Sequence, residues 1–161
     1  NKTINLYCDR VAGAVGCLSM SIFGYNNEIA RKYACLLGKA FQFTNILRDL
    51  KEDSLRNRCY IPVDIIKQQS LKKIKPEKLL KEPRFKESCN QMIIKTMKYY
   101  KEADKLSVNF NRNNIKAAIL MRDMYLSIFR KISSETWNID KKVTLSKMEK
   151  IIIIIKILIK G

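Results

Sequence analysis

The run Gln42-Phe43-Thr44-Asn45-Ile46-Leu47-Arg48-Asp49-Leu50-Lys51-Glu52-Asp53 decides how the rest of the chain is read. It contains no Gly or Pro, so nothing in it forbids a helix. At about 100° per residue, Gln42, Asn45, Asp49 and Asp53 fall within roughly 80° of one another, a single narrow stripe. Two amides and two carboxylates then face one way, while Phe43, Ile46, Leu47 and Leu50 are free to pack. Two carboxylates at i, i+4 repel each other by a few tenths of a kcal/mol. A shared hard cation such as Mg²⁺, which takes oxygen ligands and often holds substrate phosphates too, relieves that repulsion. So do the neighbouring Arg48, Lys51, Arg56 and Arg58, and a solvated acidic helix face is the alternative reading.

Working outward, the 161 residues suffice for one domain with a real core. Hydrophobic residues make up 47%, which argues against disorder, and only 5 Gly and 3 Pro punctuate the chain, which leans all-α. The formal net charge of +17 is uneven. Residues 1–60 hold nine Lys/Arg against five Asp/Glu, and residues 61–150 hold 21 against 10. That balance suits diphosphates, an anionic membrane surface or nucleic acid, but no nucleic-acid motif accompanies it, and none is expected as a partner. The 5 cysteines form no C-x-x-C and are read as reduced thiols in a cytoplasmic setting. No signal peptide is visible in residues 1–161. With no His at all, Ser-His-Asp and Cys-His catalysis are excluded within this chain, and a metal site must use oxygen ligands. No P-loop or G-x-G-x-x-G is present, so a phosphate site must use metal and basic side chains.

Residues 3–23 read as a helix with Tyr7, Val11, Ala14 and Leu18 lining one face. Gly13 and Gly16 interrupt it at about 1 kcal/mol each, which fits close approach by a helix or a ligand. Residues 24–27 form a turn with Asn27 as N-cap, and a helix follows over 28–53. Pro62 excludes helix at Ile61, and a short helix follows at 62–69. Residues 72–81 are a lysine-rich connector. Pro83 opens a helix to about Asn109, Asn114 caps another over 115–132, and 133–143 is a linker with the only Trp. Ser146-Lys147-Met148-Glu149 is a capping box opening a terminal helix. Residues 150–160 are too short to span a bilayer. Their isoleucines and lysines suit either docking on the core or an interfacial helix giving peripheral contact with an anionic membrane.

Taken together, these residues resemble the squalene/phytoene synthase family. Tyr7 to Gly16 resembles its V-A-G-x-V-G helix, and Leu37 to Asp53 resembles its second aspartate-rich motif. Arg58-Cys59-Tyr60-Ile61-Pro62 is similar to the segment that follows, and Met121, Tyr125, Ile128, Trp137 and 143–147 resemble the C-terminal part. The wording of Tyr7–Gly16 resembles most the hopanoid-type presqualene diphosphate synthases, with phytoene synthases second. The resemblance implies the C-terminal portion of an all-α isoprenoid synthase fold. It implies head-to-head condensation of two prenyl diphosphates, farnesyl or geranylgeranyl, through a cyclopropyl diphosphate with Mg²⁺. Asp49, Asp53 and Asn45 would hold the metal. Gln42, Arg48, Arg58, Tyr60 and Lys142 would contact substrate, Tyr125 would face the reaction, and Val11, Ala12 and Gly16 would line the channel.

One departure accompanies the resemblance. The family carries a first aspartate-rich motif on an earlier helix, whereas Asp9, Asp64, Asp104, Asp123 and Asp140 are isolated here. The expectation is a single partial domain over residues 1–161 that begins after that helix. A non-catalytic assembly factor or an inactive remnant of the same fold is the alternative of another class. The enzyme would be cytoplasmic, with peripheral contact on the inner membrane face through residues 150–161.

Overall fold

The computed structural model describes residues 2–71 and 74–159. The described residues form α-helices and one π-helical segment, with no strand among them. The first helical stretch is continuous but changes pitch: α1 (Lys2–Cys8), a π segment (Asp9–Gly13) and α2 (Ala14–Ile22). Then come α3 (Glu28–Arg48), α4 (Leu50–Leu55), α5 (Val63–Gln68) and α6 (Pro76–Leu79). The long α7 (Phe85–Ser107), α8 (Lys116–Ile132) and α9 (Lys147–Ile159) complete the fold.

The core forms where α3 lies along α7, with the first helical stretch and α8 also packed on α3. Phe43, Leu47, Cys89, Met92, Tyr100 and Phe129 are all sealed from solvent. One polar pair sits inside it. The Thr44 hydroxyl donates to Ala40 O at 2.7 Å and lies 3.1 Å from the Tyr100 hydroxyl, so neither group is buried unpaired. Arg122 on α8 reaches Asp104 on α7, with Nε 2.9 Å from Oδ1, and fastens the two helices.

Several sequence expectations hold at the level of single hydrogen bonds. Asn27 caps α3 by accepting from Ala30 N at 2.8 Å, and Gly24 turns the chain at φ +88°. The capping box closes α9: Ser146 N donates to Glu149 Oε2 at 2.8 Å and Glu149 N to Ser146 Oγ at 3.2 Å.

Others are corrected. The helix over 28–53 breaks at Asp49, whose φ −100° and ψ 11° separate α3 from α4. Hydrogen bonds still run from Asp49 N to Asn45 O and from Asp53 N to Asp49 O, so the break is a one-residue bend. Asn114 does not cap α8. Ile115 holds that place, and Asn111 Oδ1 instead accepts from Asn113 N. The connector carries the short α6 around Pro76, and its Lys72 lies outside the described residues. On the first helical stretch Tyr7, Val11, Ala14 and Leu18 are all exposed, while Cys8, Gly13 and Met20 are buried. The π segment adds a residue to the turn and rotates the face that follows it.

Glu149 gives the fold a pH-dependent joint. The Lys131 ammonium, 2.7 Å away, and then Ser146 N pull its pKa from 4.5 to about 2. A carboxyl depressed on folding contributes stability that is complete above the unfolded value and lost as pH falls through the folded one. The protection of α9 amides, relative to the intrinsic exchange rate at each pH, is therefore expected to fall between pH 4.5 and about 2. Glu149→Gln should flatten that dependence, and the same profile in both proteins would show that the joint does not hold α9.

Candidate active site

The first helical stretch crosses α3 at glycines. A Cβ on Gly38 would stand 3.0 Å from Ala12 C and 3.1 Å from Gly13 N, and one on Gly16 3.2 Å from Ala34 Cβ. Only backbone hydrogens fit there, so the two helices approach closely. Beside that crossing, α2, α3 and α8 leave an apolar channel of about 350 Å³. Small residues form its walls: Ala12, Gly16, Ala34, Gly38, Ala117 and Ala118. Val11 and Val15 also line it, and Met20, Phe23 and Tyr33 lie along its length. Gln42, Asn45 and Tyr125 line it too, and the Tyr125 ring stacks on Phe41 at 4.4 Å.

Gln42 and Asn45 also line a second, polar chamber of about 250 Å³, with Tyr7, Arg48, Asp49, Asp53 and Tyr60. The amides and carboxylates on the α3–α4 stripe therefore do face one space, as their spacing predicts. Asp49 is held by cations. Arg48 Nε donates to its Oδ1 at 2.9 Å and Nη2 to Oδ2 at 2.8 Å, and Lys142 Nζ lies 3.2 Å from Oδ1. Burial raises its pKa, but those cations outweigh burial and keep the carboxyl below the usual range. Asp53 is the opposite case: burial first, then the Asp49 and Glu52 charges, push its pKa up. Asn45 Oδ1 is buried with no hydrogen-bond partner.

That donor set fits a divalent ion shared with substrate. An orphaned amide oxygen and two carboxylates of unlike environment supply part of an oxygen shell, and Mg²⁺ commonly takes one or two carboxylates plus phosphate. Among the described residues no cluster of three or more Asp, Glu or Cys side chains is placed to hold an ion without such help.

The remaining expected residues divide. Val11, Ala12 and Gly16 line the channel, and Tyr60 lines the chamber. Tyr125 lines the channel and its hydroxyl bears on Arg48. Arg58 is exposed and lines neither space; its backbone N donates to Asp53 O at 2.9 Å, and its side chain bears on Asp53 as a nearby charge. Lys142 reaches Asp49 and, at 2.7 Å, Glu52 Oε2. Tyr7 was missed as a site residue. It stacks on Tyr60 at 6.1 Å and its hydroxyl accepts from Gln42 Nε2 at 3.4 Å. Its position, one turn before Val11 on the V-A-G-x-V-G helix, was the available signal.

The fold is that of a known class. The structure superposes on a dehydrosqualene synthase solved in complex with a ligand, with a TM-score of 0.75 at 21% identity. The match covers 99% of this chain and 56% of that one. The family model for squalene/phytoene synthase matches residues 2–149, and the chain belongs to that family. It is similar to the presqualene diphosphate synthase of Zymomonas mobilis, 37% identical over 91% of this chain and 50% of that protein. It is also similar to that of Rhodopseudomonas palustris, 32% identical over 96% and 56%. The phytoene synthase of Mycobacterium tuberculosis is 51% identical, over 37% of this chain and 20% of that protein. The chain spans about half the length of the presqualene diphosphate synthases it matches.

Proposed function

We propose that this chain supplies one carboxylate half and the prenyl channel of a transferase joining two prenyl diphosphates head to head, with presqualene diphosphate the first choice of product. The observation that carries this reading is the junction at Gln42 and Asn45. These two residues line both an apolar channel suited to an isoprenoid tail and a polar chamber of carboxylates and a guanidinium. Similarity to presqualene diphosphate synthases over nine-tenths of the chain supports the product class. Phytoene is the runner-up, because the similarity to phytoene synthases is strong only over a short stretch.

Asp49, Asp53 and Asn45 would hold Mg²⁺. Bound there, the ion supplies positive charge to a departing diphosphate. Arg48 adds a fixed cation beside it and Lys142 a mobile one, where negative charge grows as the C1–O bond breaks. The channel walls keep water from the allylic cation. That cation adds to the double bond of the second substrate, and loss of a proton closes the cyclopropane. Tyr125 stands at the junction, beside the reacting carbons of a tail lying in the channel. Tyr7 and Tyr60 wall the chamber, while Arg58 is assigned no contact. The family's first aspartate-rich motif would stand outside residues 1–161, and these residues would then form a partial domain. A non-catalytic assembly factor would have no need of the paired carboxylates.

The test is turnover. Farnesyl and geranylgeranyl diphosphate with Mg²⁺ are supplied to the protein containing this chain. A cyclopropyl C30 diphosphate supports the first choice, phytoene the runner-up, and the absence of diphosphate release with both substrates refutes the reading.

A cytoplasmic enzyme with peripheral membrane contact fits α9. No helix among the described residues is long and apolar enough to cross a membrane. α9 buries Ile157 but leaves Ile151, Ile152, Ile155, Leu158 and Ile159 exposed beside Lys150 and Lys156, and Lys160 lies outside the described residues. Such a face suits the interface of an anionic bilayer, with attraction that falls as salt rises. Co-sedimentation with anionic vesicles should drop when residues 150–161 are removed. Equal binding by a folded truncated form would reject the role.

A further inference from the structure

Residues 133–146, between α8 and α9, lie over the bend at Asp49 and are tied to it twice. Lys142 Nζ is 3.2 Å from Asp49 Oδ1 and 2.7 Å from Glu52 Oε2. Two residues earlier, Asp140 Oδ1 is 3.2 Å from Lys51 Nζ. Both ties cross from the segment to α4 and its first residues, and both involve half-exposed or exposed partners. The far end is pinned by Lys131, which donates to Thr144 O at 3.2 Å and to Glu149 at 2.9 Å. Between these points Trp137, Ile139 and Val143 pack on the core.

The two carboxylates of the proposed metal site thus differ in kind. Asp49 has three cationic contacts: Arg48 takes both its oxygens and Lys142 crowds Oδ1. Asp53 makes no ion pair among the described residues. On its other side Lys142 lines an open groove of about 670 Å³ with Arg130, Lys131 and Lys141, and no acidic residue lines that groove. An ammonium leaving Asp49 on that side meets only like charge, so Asp49 and Glu52 are its anionic seat.

We propose that Lys142 is the displaceable one of the two cations at Asp49, so that a divalent ion binds there by taking its place while Arg48 remains, and thereby loosens residues 133–146. The proposal rests on the metal reading above and adds its regulation. Metal binding and latch opening are coupled, and the coupling is reciprocal: whatever weakens the latch tightens the metal by the same factor. Lys51 and Asp140 are positioning residues, which hold the segment so that Lys142 reaches its seat. The freed ammonium stays within a side chain's length of the chamber, as a point charge for a phosphate oxygen.

The test needs no turnover. Mn²⁺ binding to the whole chain is read from the free-ion resonance signal. Opening is read from the emission of Trp137, the only Trp, during Mg²⁺ titration. Lys142→Met should bind Mn²⁺ tighter by on the order of tenfold, within the usual range of coupled sites. Asp140→Asn should move affinity the same way by less, and Lys142→Arg should keep the latch. Trp137 emission should shift with Mg²⁺ in the natural chain and already stand at the shifted position in Lys142→Met. Unchanged or weaker Mn²⁺ binding by Lys142→Met overturns the latch, and so does emission that ignores Mg²⁺ while the ion binds. Absence of Mn²⁺ binding by both proteins, with and without inorganic diphosphate, overturns the metal reading itself, and the latch with it.

Discussion

Asp53→Asn is expected to cut metal-dependent diphosphate release by about 10²–10³-fold in the enzyme that contains this chain, the usual loss when one stabilising group is taken from a transition-state clamp. Asp53 is the cleaner of the two carboxylates to test. It makes no ion pair among the described residues, so the change removes the proposed metal ligand without freeing a neighbour. Its raised pKa means that the local field already disfavours its charge, as burial and the Asp49 and Glu52 carboxylates combine. An incoming divalent ion reverses that sign. Asp49→Asn should lose as much activity and also release Arg48 and Lys142 from their shared anchor. Stability measured alongside turnover separates the two effects. Unchanged turnover in both variants would show the stripe to be ordinary surface charge.

Gly38→Val is expected to damage the fold rather than the chemistry alone. The added carbons would meet Ala12 and Gly13 backbone atoms within about 3.1 Å, and backbone cannot swing aside as a flexible side chain does. Overpacking of this kind commonly costs about 1–3 kcal/mol. Even Gly38→Ala meets the same atoms, so its better helix propensity, worth about 1 kcal/mol, is offset by the clash. Because Ala12 and Gly16 also line the channel, separating α2 from α3 should weaken binding of prenyl tails as well. A melting temperature equal to that of the natural chain would show that the close crossing is not tight.

The elements legible in the sequence are those set by local chemistry. Asn27 and the Ser146–Glu149 box stand at helix starts because their side chains satisfy free backbone N–H groups. The stripe of Gln42, Asn45, Asp49 and Asp53 was legible because helical spacing alone puts those positions together. The rest depends on distant parts of the chain. Asp49 bends the helix although no Gly or Pro marks the place, at the residue that Arg48 and Lys142 grip. The π segment rotates Val11 and Leu18 outward, which hydrophobic periodicity at a constant pitch cannot show. Tyr7 joins the site by stacking on Tyr60, 53 positions along the chain. Arg58 follows the family wording, yet it stands exposed. The resemblance makes Lys142 a substrate contact, and its ion pairs with Asp49 and Glu52 arise only when residues 133–146 fold back.

The central claim is that one continuous site joins the apolar channel to the carboxylate chamber. A crystal structure with Mn²⁺ and farnesyl thiodiphosphate tests it most directly. An anomalous manganese peak is expected among Asn45, Asp49 and Asp53, with the diphosphate beside Arg48. The tail is expected between Ala12–Gly16 and Ala34–Gly38, running toward Tyr33. A bound analogue whose tail lies outside that channel, or manganese that avoids both carboxylates, would contradict it.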